Sequence, residues 1–375
     1  MKGLDIHKFS YQKKEERSFG RMKGLILAAG KGTRLRPLSY SKPKPLLPVA
    51  NQSVIMYGIE HLYKIGIKDI GIVISPHEQE NFNKYLTLQV RKNITITYIY
   101  QEHPKGVGHA IRQAEDFIGE DSFCLLLGDN LIYESLETLK KNFINKNVQS
   151  TVLVTEVKQP SDYGIAEIRD GKIVNIEEKP ANPKSNLAVI GAYIFTPLIF
   201  KAINSISPSE RGEYEITDAI QWLINQNYQV NYVKTDKPTS DVGTMERWLE
   251  ANKWMLQTRG NDNDQEFNEN VIRSIIIPPV KLGDNCKIKD SIIGPYVSIG
   301  SHTNIEKCSI KNSIILNDCH FKNIPFVISD SIFGESTIFK GCSKSNNMVS
   351  GIFADQSSLI LPSTLNNVKK KEGGS

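Results

Sequence analysis

The sequence predicts an α/β protein: a mainly parallel sheet with helices on both faces, a β-rich insertion in its second half, and a short left-handed parallel β-helix after it. Three patterns predict this architecture. From Gly24 to Leu127, apolar runs of strand length alternate with amphipathic helical stretches, the β-α-β rhythm of a parallel sheet. From about residue 150 strands follow one another through turns, including the hairpin signal Asp170-Gly171. Beyond residue 270, Leu282, Ile288, Ile293, Ile299, Ile305, Ile310 and Leu316 recur every five or six residues, the period of a hexapeptide coil whose repeats each supply one side of a triangle.

Composition bounds the function. The chain has 375 residues, 39% of them apolar and 23% charged, enough for two or three ordinary domains. The net charge of +5 is small for this length, and part of it sits in Lys369-Lys370-Lys371, so no nucleic-acid partner is expected. No apolar stretch approaches the roughly 18 residues of a membrane helix. Five cysteines without CxxC spacing predict reduced thiols and a cytoplasmic protein. Residues 1–21 carry Lys13-Lys14-Glu15-Glu16-Arg17, which is not the apolar centre of a signal peptide, and they are expected to form a mobile extension.

Taken in order, Leu25 to Ala29 reads as a strand buried on both faces. It ends in a loop with Gly30, Gly32 and Thr33 among the cations Lys31, Arg34 and Arg36. Glycines admit close approach of backbone N–H groups to a phosphate, and the cations offset its charge. The spacing is too compact for a P-loop, and Leu35 stands where a dinucleotide fingerprint needs its third glycine. Ser41 to Pro48 carries three prolines, which forbid a regular helix and stiffen an arm bearing Lys42 and Lys44.

Residues 53–66 read as a helix on Ile55, Ile59, Leu62 and Ile65. A strand over Ile70–Ile74, a helix over 77–86, a strand over Ile94–Tyr100, a helix over 107–118 and a strand over Phe123–Leu127 follow. Two loops at strand ends stand out. Gln101 to Gly108 has glycine freedom and an amide suited to a base edge. Gly128-Asp129-Asn130 offers a carboxylate suited to magnesium. The later strands cover Thr151–Val157, 165–168, Ile173–Ile176 and Leu187–Phe195, around Gly164, Glu178, Lys179 and Gly191. Helices from Pro197 and over 215–223 and a strand over Val230–Lys234 lead to a second carboxylate at a strand-to-helix junction, Asp241. The last long helix, Met245–Leu256, is expected on a stripe of Met245, Leu249 and Lys253. Residues 257–270 read as a linker, 271–345 as the β-helix and 346–375 as a tail.

The blocks LILAAGKGTRLRP, KPKPLLP, QEHPKGVGHA, LGDN, DYGIAE, EEKP, VIGAYIF, RGEYEITDA and DVGT occur in that order. With them the chain resembles the sugar-1-phosphate nucleotidylyltransferases, most closely the long glucose-1-phosphate thymidylyltransferases that add a left-handed β-helix. The resemblance implies a Rossmann-like catalytic domain over residues 22–256, in which the β-rich insertion binds the sugar. It also implies the joining of a nucleoside triphosphate, dTTP or UTP, to a sugar 1-phosphate, with Mg²⁺ as cofactor and pyrophosphate as second product. On it, Gly30, Gly32, Thr33 and Arg34 hold the triphosphate, while Leu27, Ala29, Gln101 and Gly106 contact the base. Asp129 and Asp241 bind the metal. Gly164, Glu178, Lys179 and Gly191 form the sugar-phosphate side, and Arg34, Lys44 and Lys179 are the catalytic cations. Thr239 departs from the family, which often has an aromatic there. A homo-oligomer is expected. The β-helix has only His302 and His320 as histidines, and an assembly or regulatory role is favoured over acetyl transfer. The alternatives are a uridylyltransferase making UDP-glucose or UDP-N-acetylglucosamine, and a non-catalytic sensor of nucleotide sugars; the latter is disfavoured because Arg34, Lys44 and Asp129 are all present.

Overall fold

The computed structural model describes residues 22–30, 32–87, 89–146, 148–259, 270–341 and 348–360. The N-terminal extension, Lys31, and most of the linker at 257–270 lie outside the described residues.

The first half builds the sheet. Its elements are β1 (Lys23–Leu27), the small hairpin β2 (Pro48–Val49) and β3 (Gln52–Ser53), α1 (Val54–Lys64), β4 (Asp69–Ile74), α2 (Gln79–Leu86) and β5 (Thr95–Tyr100). Next come α3 (Val107–Arg112), α4 (Glu115–Ile118), β6 (Phe123–Leu127), β7 (Leu131–Ile132) and α5 (Leu136–Lys146). The second half adds β8 (Ser150–Glu156), β9 (Gly164–Arg169), β10 (Lys172–Glu178), β11 (Leu187–Phe195), α6 (Leu198–Asn204), α7 (Ile216–Asn225), β12 (Val230–Thr235), β13 (Thr239–Ser240) and α8 (Met245–Arg259). Strands β5, β4, β1 and β6 run parallel. Strand β11 continues the sheet antiparallel to β6 and also pairs with β8 and β9, while β10 closes a hairpin on β9. Strand β12 lies parallel to β8.

Beyond their first residues, Lys23 and Asp69, the central strands β1, β4 and β6 carry no charged or polar side chain, because both faces are covered. Ile26, Ile70, Ile72 and Leu126 face a core closed by α1, α2 and α5. Leu25, Val73, Phe123 and Leu125 face the opposite core, closed by α3, α4, α6 and α7.

Three elements differ from the sequence expectation. The helix expected over 107–118 is two pieces, α3 and α4, separated at Gln113-Ala114. Helix α5 fills a stretch left unassigned, although Leu136, Leu139 and Phe143 give it a buried stripe. Helix α8 buries Trp248, Ala251, Asn252 and Met255 rather than the stripe of Met245, Leu249 and Lys253. Of that stripe only Leu249 is buried, because α8 packs on two partners at once, the catalytic sheet's loops and the β-helix.

The C-terminal part is a left-handed parallel β-helix. One face stacks Val271–Ile272, Lys287–Lys289, Asn304–Glu306, His320–Lys322, Ile338–Lys340 and Ser358–Ile360 in parallel register. The other two faces share the longer strands Ser309–Ile315 and Val327–Phe333. Ile288, Ile305, Phe321 and Phe339 occupy matching inward positions and are buried. Strands Met348–Phe353 and Ser358–Ile360 extend the coil beyond residue 345, where the repeat pattern fades. Replacing Phe333, fully buried and stacked 4.6 Å from Phe353, by Ala is expected to cost about 3–5 kcal/mol. Chemical denaturation of the β-helix reads this, and a loss below about 1 kcal/mol would contradict the packing described.

Candidate active site

The parallel strands end on one side of the sheet, where ligands of open α/β sheets bind. Strand β1 pairs with β6 in the register Leu27 to Leu127, so the glycine loop and the Asp129 loop emerge side by side. Gly128 is tied in by its N–H to the Leu27 carbonyl at 2.8 Å, and a Cβ there would stand 2.8 Å from that oxygen.

The glycine loop turns at Gly32, which has φ 56°. Its hypothetical Cβ would sit 3.2 Å from the Cβ of Lys44, so loop and proline arm pack directly together. A single 3₁₀ turn, Thr33–Leu35, then buries Leu35 and leaves Arg34 in the cleft. A further 3₁₀ turn on the proline arm, Lys44–Leu46, buries Lys44. Its ammonium reaches the Asp129 carboxylate at 2.6 Å.

These residues border a cleft of about 870 Å³. Seven of the expected site residues line it: Arg34, Asp129, Gly164, Glu178, Lys179, Gly191 and Asp241. Leu27, Ala29, Gly30, Gly32, Thr33, Lys44, Gln101 and Gly106 lie outside that lining. Lys44 reaches it through Asp129. Gln101 is buried, and its amide nitrogen donates to Nδ1 of His109 at 2.9 Å. Burial, with the Arg112, Lys105 and His103 charges, holds the His109 imidazole below its ordinary range. Gly106, with φ 94°, is pressed against the Tyr214 backbone; a Cβ would meet its nitrogen and oxygen at 2.9 Å.

Four acids of the cleft, Asp129, Asp241, Glu178 and Glu215, are already matched by cations. Asp241 accepts both its bonds, each 2.9 Å, from Nη1 of Arg247, and Arg34 stands 4.0 Å away. Val242 next to it is fully buried with φ 36°, a sparsely populated conformation for a β-branched residue that packing holds in place. Glu178 accepts from Thr217 at 3.2 Å and lies 3.6 Å from Arg211, which also pairs with Glu215 at 3.4 Å. Burial, opposed by the Ser209 hydrogen bond, pushes the Glu215 carboxyl up, and the Glu178 charge adds to this. Asp129 and Asp241 sit on the same cleft with side chains about a third exposed. That donor set fits magnesium, which takes one or two carboxylates and fills its other positions with phosphate oxygen and water. Among the described residues no group of three or more His, Cys, Asp or Glu gathers into a cage.

Residues 23–258 match the model of the nucleotidyl transferase family. The chain belongs to this family. It is 34% identical over 322 residues to a glucose-1-phosphate thymidylyltransferase of Streptomyces griseus, covering 81% of this chain and 89% of that protein. It is also 37% identical over 233 residues to the UTP–glucose-1-phosphate uridylyltransferase AglF of Haloferax volcanii, covering 61% of this chain and 95% of AglF. The crystal structure of a UDP-glucose pyrophosphorylase complexed with UDP-glucose superposes with a TM-score of 0.57 at 28% identity, over 64% of this chain and 99% of that one.

Several residues of the cleft or paired with it carry no role from sequence. Glu215 and Thr217, and Arg211 that pairs with Glu178 and Glu215, lie in the RGEYEITDA block, which signals the family without assigning a contact. Asn130 sits beside Asp129, and Arg247 follows DVGT on the first turn of α8 with no spacing signal at all. Asn130 also explains Gly191: a Cβ on Gly191 would collide with the Asn130 amide. Gly191→Ala is therefore expected to displace Asn130 and lower turnover at least about tenfold, with little change in melting temperature. Steady-state kinetics beside a thermal melt checks this, and wild-type turnover would reject it.

Proposed function

We propose that this nucleotidyl transferase joins dTTP to glucose 1-phosphate, giving the nucleoside-diphosphate sugar and pyrophosphate. The observation that carries the reading is the meeting of Arg34, Asp129, Glu178, Lys179 and Asp241 in one cleft at the strand ends. The similarity to a thymidylyltransferase over 81% of the chain supports the choice of nucleotide. The buried, unpaired thiols of Cys124, Cys286, Cys308 and Cys319 suit a cytoplasmic enzyme.

The chemistry follows from charge. A sugar phosphate oxygen is ionised near neutral pH, so its in-line attack on the α-phosphorus needs no strong base. The obstacle is repulsion between two polyanions, and the departing pyrophosphate gathers further negative charge. Arg34 and Lys44 face the triphosphate, and Lys179 faces the sugar phosphate. Preorganised cations of this kind stabilise developing charge without reorganising at the moment of reaction. Lys44 is the best preorganised: it is buried and fixed by Asp129. On the other side Glu178, held by Thr217 and Arg211, orients sugar hydroxyls. Gln101, its amide nitrogen committed to His109, is fixed beside the base. Asp129 and Asp241 would hold Mg²⁺ with the phosphates, and the bound ion supplies positive charge to the triphosphate.

The similarity to a uridylyltransferase makes UTP the competing nucleotide. Pyrophosphate release is measured with five nucleoside triphosphates against a panel of sugar 1-phosphates, and dTTP with glucose 1-phosphate is expected to give the highest kcat/KM. Preference for UTP would replace the thymidylyl reading, and no release with any pair would reject catalysis. Arg34→Ala and Asp129→Ala are each expected to lower turnover by about two to three orders of magnitude while the circular dichroism spectrum is kept. Near-normal turnover in both would remove this mechanism.

A further inference from the structure

The arm that carries Lys44 carries a second lysine, and it points the other way. Lys42 and Lys44 flank Pro43, and Pro45 follows, so the ring-locked backbone couples the directions of the two side chains. Lys44 faces Asp129 in the cleft. Lys42 is equally buried, with its side chain 7% exposed, and its ammonium meets Glu335 of the β-helix at 2.5 Å. The same ammonium lies 4.5 Å from the centre of the Tyr85 ring, whose hydroxyl donates to the same Glu335 oxygen at 3.4 Å. Burial pulls the Lys42 ammonium down, but Glu335, by charge and hydrogen bond, and Tyr85 outweigh it and hold the group above its ordinary range.

The grip on the arm is not a single bond. Glu335 sits in a turn of the coil, and its N–H donates to the Asp355 carboxylate at 2.7 Å. The other Asp355 oxygen accepts from the Ser41 hydroxyl at 2.5 Å. Further along, Asn51 donates to the Ile299 carbonyl at 2.7 Å. Asn252 on α8 joins the Ala50 N–H to the Ser298 hydroxyl, both at 2.8 Å. The β-helix thus touches the arm and the hairpin that follows it on both sides of Lys44, from three different turns of the coil.

We propose that Glu335 is a positioning residue for the transfer reaction: through Lys42 the β-helix fixes the arm that presents Lys44 to the triphosphate. The inference rests on the reading of Lys44 given above. A buried lysine with its carboxylate removed is an uncompensated charge in a low-dielectric site. The arm relieves this by moving Lys42 outward, and Lys44, two residues on, moves with it. Catalysis is sensitive to such displacement, since about 1 Å can cost a hundredfold in rate.

The test is a kinetic cycle in the full-length chain. Glu335→Gln is expected to lower kcat about tenfold or more with the KM for the nucleotide within about twofold, the signature of a group that acts in the transition state. Lys42→Met in the Glu335→Gln background removes the stranded charge and is expected to recover part of that loss. Should Glu335→Gln not be obtained folded, Asp355→Asn breaks the Ser41 link without stranding a cation and is expected to lower kcat about threefold. Unchanged kcat in Glu335→Gln overturns the proposal, as does a double variant no better than the single one, or wild-type kcat in Asp355→Asn. Lys44→Ala separates the two levels. Full turnover in that variant sinks the reading of the site itself. Collapsed turnover there, with Glu335→Gln at the wild-type rate, sinks only the role of the β-helix.

Discussion

The buried indole of Trp248 is the joint on which the remaining parts of the molecule close. It is fully buried, and its Nε1 donates to the Pro48 carbonyl at 2.7 Å. Around it gather Leu35, Leu38, Leu47 and Val242 from loops near the cleft, Val49, Val54 and Leu131 from β2, α1 and β7, and Ile314, Leu316 and Ile332 from the β-helix. Each of these loops is short of regular structure, so its conformation is set by what it buries. Full burial of one such side chain stabilises by roughly 1.5–3 kcal/mol. The polar residues of the site stand next to these apolar ones in the chain: Arg34 beside Leu35, Asp241 beside Val242, Asp129 two residues before Leu131. One apolar cluster therefore sets the directions of several charged side chains.

That arrangement meets an electrostatic problem. A cleft that must hold two polyanions needs cations, yet unpaired cations near a core are costly. The structure answers by pairing them in advance: Lys44 with Asp129, Arg247 with Asp241, Arg211 with Glu178 and Glu215. A phosphate entering beside such a pair exchanges one anionic partner for another, so the cation need not be dragged out of water at that moment.

Much of this was legible in the sequence where one chemical constraint acts on neighbouring residues. The run Leu25 to Ala29, the compact glycine loop, the carboxylates after Leu127 and Ser240 and the isoleucine period of the coil are all local patterns, and each corresponds to an element or junction of the fold. What stayed hidden depends on residues far apart. The burial stripe of α8 could not be read as one face, because Trp248 answers to the Pro48 carbonyl while Asn252 joins Ala50 to Ser298 of the β-helix. The last turns of the coil lost their signal for a related reason. Matching positions fall at 288, 305, 321, 339 and 359, so the spacing varies between 16 and 20 residues. Meanwhile phenylalanine takes over from isoleucine inside the coil, with Phe321, Phe333, Phe339 and Phe353 packed on one another. The core is as well filled as before, but its period no longer shows.

The drift matters because of where it falls. Asp355, which holds both the Glu335 backbone and the Ser41 hydroxyl, lies in the turns that the repeat pattern misses. Read as a tail, that segment is dispensable; read as the last turns of the coil, it is part of what surrounds the proline arm. A parallel β-helix suits such a task. Its turns stack at fixed spacing along one axis, so groups on successive turns form a rigid ruler beside whatever they touch. The arm at 41–53 has only one short 3₁₀ turn and a hairpin of two-residue strands of its own. Its stiffness comes partly from proline and partly from this ruler, and the position of Lys44 beside Asp129 depends on both.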